Sequence, residues 1–347
     1  MFARRKWRQS IFLILGFGVG LMIYSKTLLG ETNPMEEPRL FEEMKRRIIE
    51  IKHWNSTFGN GIFPKATNSV IGVLPVQRAR TPLLKNHYIV SSSSMGRLGN
   101  HLFQFAALIG TADQHRYTPV LSKLSSLKSI FDSDVQTKVP TLINQKSFSE
   151  KRAGIYDTRI KNLTHSANWT LNGYFQSWKY FHASVDVLRK QLKFKEHILK
   201  QARNKLLPTK GQIRIGVHVR RGDMNSRFEL KRGYNVADVG YLNRSMDYFR
   251  RKFGAVSFVV VSDDVKWCEA NIKSKDLSIM RVSREVDLAI LSLCDHNIVT
   301  TGSFGWWGAW LAGGEAVYFK NFPVNNTWLD KQYNKQDYYP SNWVGMS

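Results

Sequence analysis

The chain reads as an α/β protein whose C-terminal half is a doubly wound, Rossmann-like parallel sheet. Three observations lead there. A β-branched apolar strand over 213–219 stops at Arg220-Arg221-Gly222-Asp223. Strand-like and helix-like segments then alternate to the C-terminus, the pattern that winds a parallel sheet. Within them, 256–261 (VSFVVV) is an unbroken apolar run, as a strand covered on both faces requires.

The elements follow in order. Residues 1–10 carry Arg4, Arg5, Lys6 and Arg8, and 11–24 are free of charge and mostly apolar before Lys26 interrupts. This predicts a single-pass signal anchor over 11–30, with 1–10 as a cytoplasmic tail and the remainder lumenal. Lys26 has to snorkel for so short a span. A signal peptide shares the basic-then-apolar order, but no A-x-A-like cleavage site follows. Residues 31–85 read as stem and lead-in: a helix over 40–51 with Met44, Ile48 and Ile51 on one face, then a linker rich in Gly, Asn, Pro and Thr over 55–82. An N-terminal lobe is expected over 86–207, with a strand at 88–91, a turn at Gly96–Asn100 and a helix over 102–114. A C-terminal lobe over 208–347 holds the strand 213–219 and a helix over 241–253 with Leu242, Met246, Phe249 and Phe253 on one face. There follow the strand 256–261, a helix at 265–272, a weak strand at 278–282, a helix at 286–293, a strand at 297–300, a helix at 304–312 and a strand at 316–319. Roughly 260 residues suffice for two lobes around separate cores.

Composition narrows the partners. The net charge of +24 suits a polyanion or an acidic small ligand. The basic residues are scattered and no nucleic-acid motif accompanies them, so nucleic acid is set aside. The pattern N-x-S/T occurs at Asn55, Asn162, Asn168, Asn243 and Asn325, which fits a lumenal address, with Asn243 on a predicted helix. Cys268 and Cys294 either bridge in an oxidising lumen or stay as two buried thiols.

Two strand ends carry the chemistry. Ligands of open α/β sheets bind at the carboxyl ends of strands. Guanidiniums at Arg220 and Arg221 match a pyrophosphate there, or else salt-bridge Asp223 and a neighbour. The turn Thr300-Thr301-Gly302-Ser303-Phe304-Gly305 leads from a strand into a helix, where small residues and free N–H groups favour an anion; Ser303 either caps the helix or donates to a phosphate. Asp287 either complements a helix dipole or accepts from a guanine edge. Gly96 and Gly99 permit close backbone approach, as an ordinary βα turn also would, and Asn100 both donates and accepts. Tyr174, Phe175 and Trp178 read as core rather than as a sugar platform. Asp132-Ser133-Asp134 and Ser262-Asp263-Asp264 are short acidic patterns that read as solvated turns or caps. The arginines supply the positive charge a metal would bring, so neither metal nor cofactor is expected.

In order along the chain, Gly96-Arg97-Leu98-Gly99-Asn100 with Phe103-Gln104-Phe105-Ala106, Asn172–Trp178 with Tyr180-Phe181, and His218-Val219-Arg220-Arg221-Gly222-Asp223 resemble blocks of the galactoside α-1,2-fucosyltransferase family. Ser262-Asp263, Trp267-Cys268, Asp287–Cys294, Gly302–Trp307 through Gly313-Gly314, and Trp343-Val344-Gly345 complete the set. The His-x-Arg-Arg-x-Asp block is shared with other fucosyltransferases; the ordered set is specific. The resemblance covers about residues 86–347. It implies a GT-B-like fold, two Rossmann-like lobes around a cleft, and inverting transfer of L-fucose from GDP-fucose to O2 of a terminal galactose on a glycan, without metal, in the Golgi membrane. It implies a catalytic set of Arg220, Arg221, His218 and Asp223; Asp223 is the nearest candidate for a base, but orienting Arg220 or His218 is the role preferred for it, so no base is identified. Donor contacts are implied for Gly96, Arg97, Gly99 and Asn100 across the cleft, and for Ser262, Asp287, Gly302, Ser303, Phe304 and Gly305. His101 stands where the family has Gln, which leaves the acceptor open. A fucosyltransferase for another hydroxyl or sugar, or a non-catalytic glycan-binding member, are the alternatives, and a homo-oligomer stays open.

Overall fold

The computed structural model describes residues 87–91 and 94–347. The expected tail, anchor, stem helix and linker, and Asn55, lie outside them. The described chain builds two parallel sheets.

The first sheet holds β1 (Tyr88–Ser91), β2 (Thr118–Val120), β3 (Gln145–Ser149) and β4 (Asn168–Asn172) in the order β2-β1-β4-β3. Helix α1 (Leu98–His115) connects β1 to β2. It begins four residues before the expected Leu102, because the Arg97 carbonyl accepts from the N–H groups of Asn100 (2.9 Å) and His101 (3.0 Å). Gly99 and Asn100 therefore belong to the first helical turn and not to a preceding loop. Helices α2 (Val185–Gln191) and α3 (Glu196–Leu206) lead to the second sheet.

That sheet contains β5 (Ile213–Val219), α4 (Arg227–Arg232), α5 (Val239–Phe253), β6 (Val256–Ser262), α6 (Val265–Asn271), β7 (Leu277–Met280) and α7 (Arg284–Ser292). It continues with β8 (His296–Val299), α8 (Ser303–Ala312), β9 (Ala316–Phe319), α9 (Lys335–Tyr338) and β10 (Val344–Met346). The strand order is β10-β9-β8-β5-β6-β7, with every pair parallel. The chain winds from β5 through β6 to β7, then crosses to β8 on the other side of β5. The crevice between the carboxyl ends of β5 and β8 is thus the topological switch point. Every residue of β6 is buried, as its unbroken apolar run requires. The weak strand expected over 278–282 ends at Met280, because Ser283 instead caps α7, accepting from Val286 N–H.

Helices α1 and α8 join the two sheets through aromatic packing. Trp306 and Trp307 are fully buried, with Phe103 4.6 Å from Trp306 and Phe181 stacked 5.6 Å from Trp307. Phe175 is core, as expected, while Tyr174 and Trp178 are only half-buried. Cys268 and Cys294 are both buried and free, so the bridging alternative is not realised. Asn168 lies in β4, where its side chain accepts from Tyr88 N–H (2.7 Å) and donates to the Ile143 carbonyl (2.7 Å). A buried, doubly bonded amide is not a glycan acceptor, which corrects that expectation; Asn162, Asn243 and Asn325 are exposed. Asp132 and Asp134 are exposed, with Ser133 bonded to Gln191 at 2.9 Å. Among the described residues no helix is long and apolar enough to cross a membrane.

Candidate active site

A cleft of about 860 Å³ opens at the switch point. Its floor is the carboxyl end of β5. Arg220 follows directly, and its backbone N–H donates to Thr300 Oγ1 at the end of β8 (2.9 Å), whose hydroxyl donates to the His218 carbonyl (3.0 Å). The Arg220 side chain is largely buried. Its Nη1 donates to Asp263 Oδ2, just past β6, and its Nη2 to Asp223 Oδ1. Arg97, at the start of α1, reaches the other oxygen of Asp223 at 3.0 Å. Asp223 therefore orients Arg220, one of the two roles considered for it.

The other arginine goes elsewhere. Consecutive residues of an extended chain point to opposite sides, so Arg220 and Arg221 cannot both face the cleft. The Arg221 guanidinium sits 3.8 Å from the centroid of the Trp267 ring, with Asp264 at 3.6 Å, and is not among the cleft-lining residues. Its backbone N–H donates to Asp263 Oδ1 (2.9 Å), which fixes the carboxylate that holds Arg220. The expectation of paired guanidiniums is corrected to this extent: only Arg220 faces the cleft.

His218 lies one strand step below Arg220, on the same side, and is buried. Burial and the neighbouring guanidinium depress its imidazole to about 3, so the ring is neutral. Phe304 packs at 5.4 Å from it. Gly305 allows that packing, since a Cβ there would come 2.3 Å from His218 Nδ1. Gly305 thus supports the site from behind and does not line the cleft.

Helices α1 and α8 meet at the rim, end to end. A Cβ at Gly99 would lie 2.6 Å from Phe304 N, so only glycine permits this approach. Asn100 Oδ1 accepts from Ser303 Oγ (2.5 Å) and from Gln176 Nε2 (2.7 Å), and Gln176 Oε1 accepts from the Tyr333 hydroxyl. Ser303 is therefore not a helix cap: the cap position is Gly302, at φ 96°, and the hydroxyl bonds across the cleft rim. With both helix starts here, unpaired N–H groups favour an anion. Asp287 lines the cleft from the first turn of α7. Its Oδ1 accepts from Val282 N–H (3.0 Å), and burial raises its carboxyl above the usual range.

Arg220, His218, Asp223, Gly96, Arg97, Gly99, Asn100, Ser262, Asp287, Gly302, Ser303 and Phe304 all line this cleft; Arg221 and Gly305 do not. Seven Lys and Arg side chains line it against four carboxylates, a balance suited to a dianionic ligand. Gln176, from the Asn172–Trp178 block, also lines it, as do Glu150, Tyr333, Arg281 and Arg284, which no motif marks. Glu150 sits in the charged run Glu150-Lys151-Arg152, which on sequence alone is indistinguishable from a solvated loop. Among the described residues no cluster of three His, Cys, Asp or Glu is disposed to hold a metal ion.

Residues 59–347 match the sequence model of glycosyl transferase family 11. The chain belongs to this family. Similar proteins include galactoside alpha-(1,2)-fucosyltransferase 1 of Bos taurus, 30% identical over 269 residues that cover 73% of this chain and 74% of the relative. The Homo sapiens protein of the same name is 29% identical over 280 residues, 73% of each chain. Among solved structures, apo POFUT1 is similar at 14% identity with a TM-score of 0.45, covering 67% of this chain and 98% of that one. Fucosyltransferase NodZ from Bradyrhizobium follows at 14% identity and a TM-score of 0.43, covering 65% and 92%. The family match spans the whole cleft and all of the residues assembled around Arg220.

Proposed function

We propose that the chain is an inverting galactoside α-1,2-fucosyltransferase, moving L-fucose from GDP-fucose to O2 of a terminal galactose on a glycan. The observation that carries this is Arg220, clamped between Asp223 and Asp263 at the switch point of a parallel sheet, in a family 11 chain. On this reading the fold is GT-B-like, with lobes over 86–207 and 208–347 facing each other across the cleft. GDP gains negative charge as its bond to fucose breaks. A guanidinium fixed at the diphosphate stabilises that charge more in the transition state than in the ground state. The start of α8 binds the diphosphate through Gly302, Ser303 and Phe304, and the Asp287 oxygen not held by Val282 accepts from the guanine edge. Neutral His218 adds no charge to compete with Arg220. Fucose becomes oxocarbenium-like, galactose O2 attacks the opposite face, and the β-linked donor gives an α-linked product. Arg220 supplies the charge that a divalent ion brings elsewhere, so transfer proceeds without metal. The basic-then-apolar N-terminus supports a retained type II anchor in the Golgi membrane, with the cleft lumenal.

The test uses the full chain in detergent, labelled GDP-fucose, and a panel of galactose-ended glycans with and without EDTA. EDTA-resistant transfer to galactose O2, lost in Arg220→Ala, is the expected result. Transfer to another hydroxyl overturns the acceptor, loss in EDTA overturns the metal-free reading, and absence of any transfer overturns the enzymatic one.

A further inference from the structure

Transfer to a hydroxyl releases a proton, and the groups that could take it are few. Four carboxylates line the cleft. Asp223 and Asp263 are both bound to the Arg220 guanidinium. Asp287 has one oxygen on Val282 N–H and, on the reading above, the other on the guanine edge. Neutral His218, held to about 3, is too weak a base. Glu150 remains. It follows directly after β3, at the carboxyl end of the first sheet, whereas Arg220 stands at the carboxyl end of β5 in the second. Among the described residues no cation pairs with its carboxylate. Two backbone N–H groups hold it instead, those of Tyr174 and Phe175, the latter at 2.8 and 2.9 Å from its two oxygens.

The chain bends out of its usual conformations to make this cradle. Phe175 is buried at φ 53°, in the left-handed region that non-glycine residues avoid. Gly173 leaves the space, since a Cβ there would fall 2.5 Å from Glu150 Cδ. Strain of this kind gathers at functional sites. Gly173 and Tyr174 line the same cleft. Burial raises the Glu150 carboxyl to about 8 despite the two N–H donors, and Asp157 adds repulsion. Asp157 is itself neutralised by Arg159, and the neighbouring Tyr180 and Tyr333 are held protonated by burial. Lys151 and Arg152 follow Glu150 on the same loop and also line the cleft.

Given the fucosyl-transfer reading, on which this rests, we infer that Glu150 is the general base that accepts the proton of the acceptor hydroxyl. As the acceptor oxygen bonds to fucose C1, the C1–O bond to the β-phosphate breaks and its electron pair leaves with GDP, whose diphosphate faces Arg220. The hydroxyl proton passes to a Glu150 oxygen and then to solvent. Base and leaving-group stabiliser stand on different sheets, and displacement with inversion places them on opposite faces of C1.

The test compares the full-length wild type in detergent with Glu150→Gln and Glu150→Asp. Measured are kcat, KM for the galactose-ended acceptor, GDP-fucose affinity, and kcat/KM against pH. Glu150→Gln is expected to lose on the order of 10²–10⁴ in kcat, the usual contribution of a general base, with GDP-fucose affinity kept within about threefold. The wild-type profile rises with pH through a pKa well above the usual carboxylate range. That rise is absent from the residual activity of Glu150→Gln and retained at lower amplitude in Glu150→Asp. Unchanged kcat in Glu150→Gln overturns the inference, and so does a fall in kcat with an unaltered profile, which marks a structural role. If neither variant folds, a wild-type kcat/KM with no rise on the acid side overturns it by itself. A wild type that transfers no fucose to galactose overturns the underlying reading instead, whatever the variants do.

Discussion

Gly99→Ala tests whether the contact between α1 and α8 sets the geometry of the cleft. The added Cβ would stand 2.6 Å from Phe304 N and Ser303 C, and 2.7 Å from Ser303 Oγ. Ordinary contacts between such atoms are about 3.5 Å, so one helix must give by roughly 0.9 Å. The first two of these atoms are backbone, so no side-chain rotation relieves them. α8 cannot retreat freely, because Trp306 and Trp307 are fully buried behind it. The shift therefore breaks the bond of Ser303 to Asn100 and moves the Gly302 turn relative to Arg220. Overpacking of this size costs about 1–3 kcal/mol, and a displacement near 1 Å at reacting groups costs on the order of 10²-fold in rate. The assay is kcat/KM for fucosyl transfer alongside thermal melting, with Gly211→Ala as the control. Gly211 has a positive φ of 83° but no atom within 4 Å of its added Cβ, so it brings backbone strain and no crowding. Gly99→Ala is expected to lose about a hundredfold in kcat/KM, while Gly211→Ala changes only stability. A Gly99→Ala protein within about threefold of wild-type activity and with an unchanged melting temperature refutes the reasoning.

Arg220→Ala is expected to cost on the order of 10²–10³ in kcat, the scale of a lost oxyanion donor. Arg221→Ala should cost far less in kcat, and should show mainly as lost stability of roughly 0.5–2 kcal/mol from the contact with Trp267; steady-state kinetics and melting separate the two. Asp157 is held below the usual carboxylate range chiefly by its hydrogen bond to Arg159. A carboxyl with a depressed folded pKa contributes stability that is present above its unfolded value and lost as pH falls through the folded one. The gap in melting temperature between wild type and Asp157→Asn should therefore be full near neutrality and close below about pH 4. In protein recovered from a secretory host, peptide mass spectrometry should find Asn168 unmodified, and glycan, where present, at exposed sequons such as Asn162 or Asn325.

The elements legible in the sequence are those whose burial leaves a period or an unbroken run. β6 is covered on both faces and reads as VSFVVV, and α5 buries Leu242, Met246 and Phe249 along one stripe. β3 was not foreseen, because it is an edge strand of polar residues with only Phe148 buried, and β2 is three residues long. The early start of α1 was hidden because its first turn carries two residues, Gly99 and Asn100, that ordinarily mark a loop. The site was legible where a motif ended a strand, at His218, Arg220 and Gly302. It was not legible where orientation decides. Whether Arg221 faces the ligand depends on the parity of an extended chain, and whether Glu150 is solvated depends on a turn 24 residues away in sequence.

On the fucosyl-transfer proposal, the carboxylates around Arg220 do not oppose an anionic donor. A guanidinium has five N–H donors, and Asp263 and Asp223 take one from each terminal nitrogen. Three donors, including Nε–H, are left for a diphosphate. Orienting a free arginine costs about 2 kcal/mol of rotamer entropy; here that cost is met on folding, before the donor arrives. The two acids carry −2 near the guanidinium, but Arg97 shares Asp223, and the wider lining carries more cations than carboxylates. The acids thus fix direction while the cleft as a whole keeps the sign of its field. A site organised this way gains most in the transition state, when charge develops on the leaving phosphate against a guanidinium that has no further reorganisation to undergo.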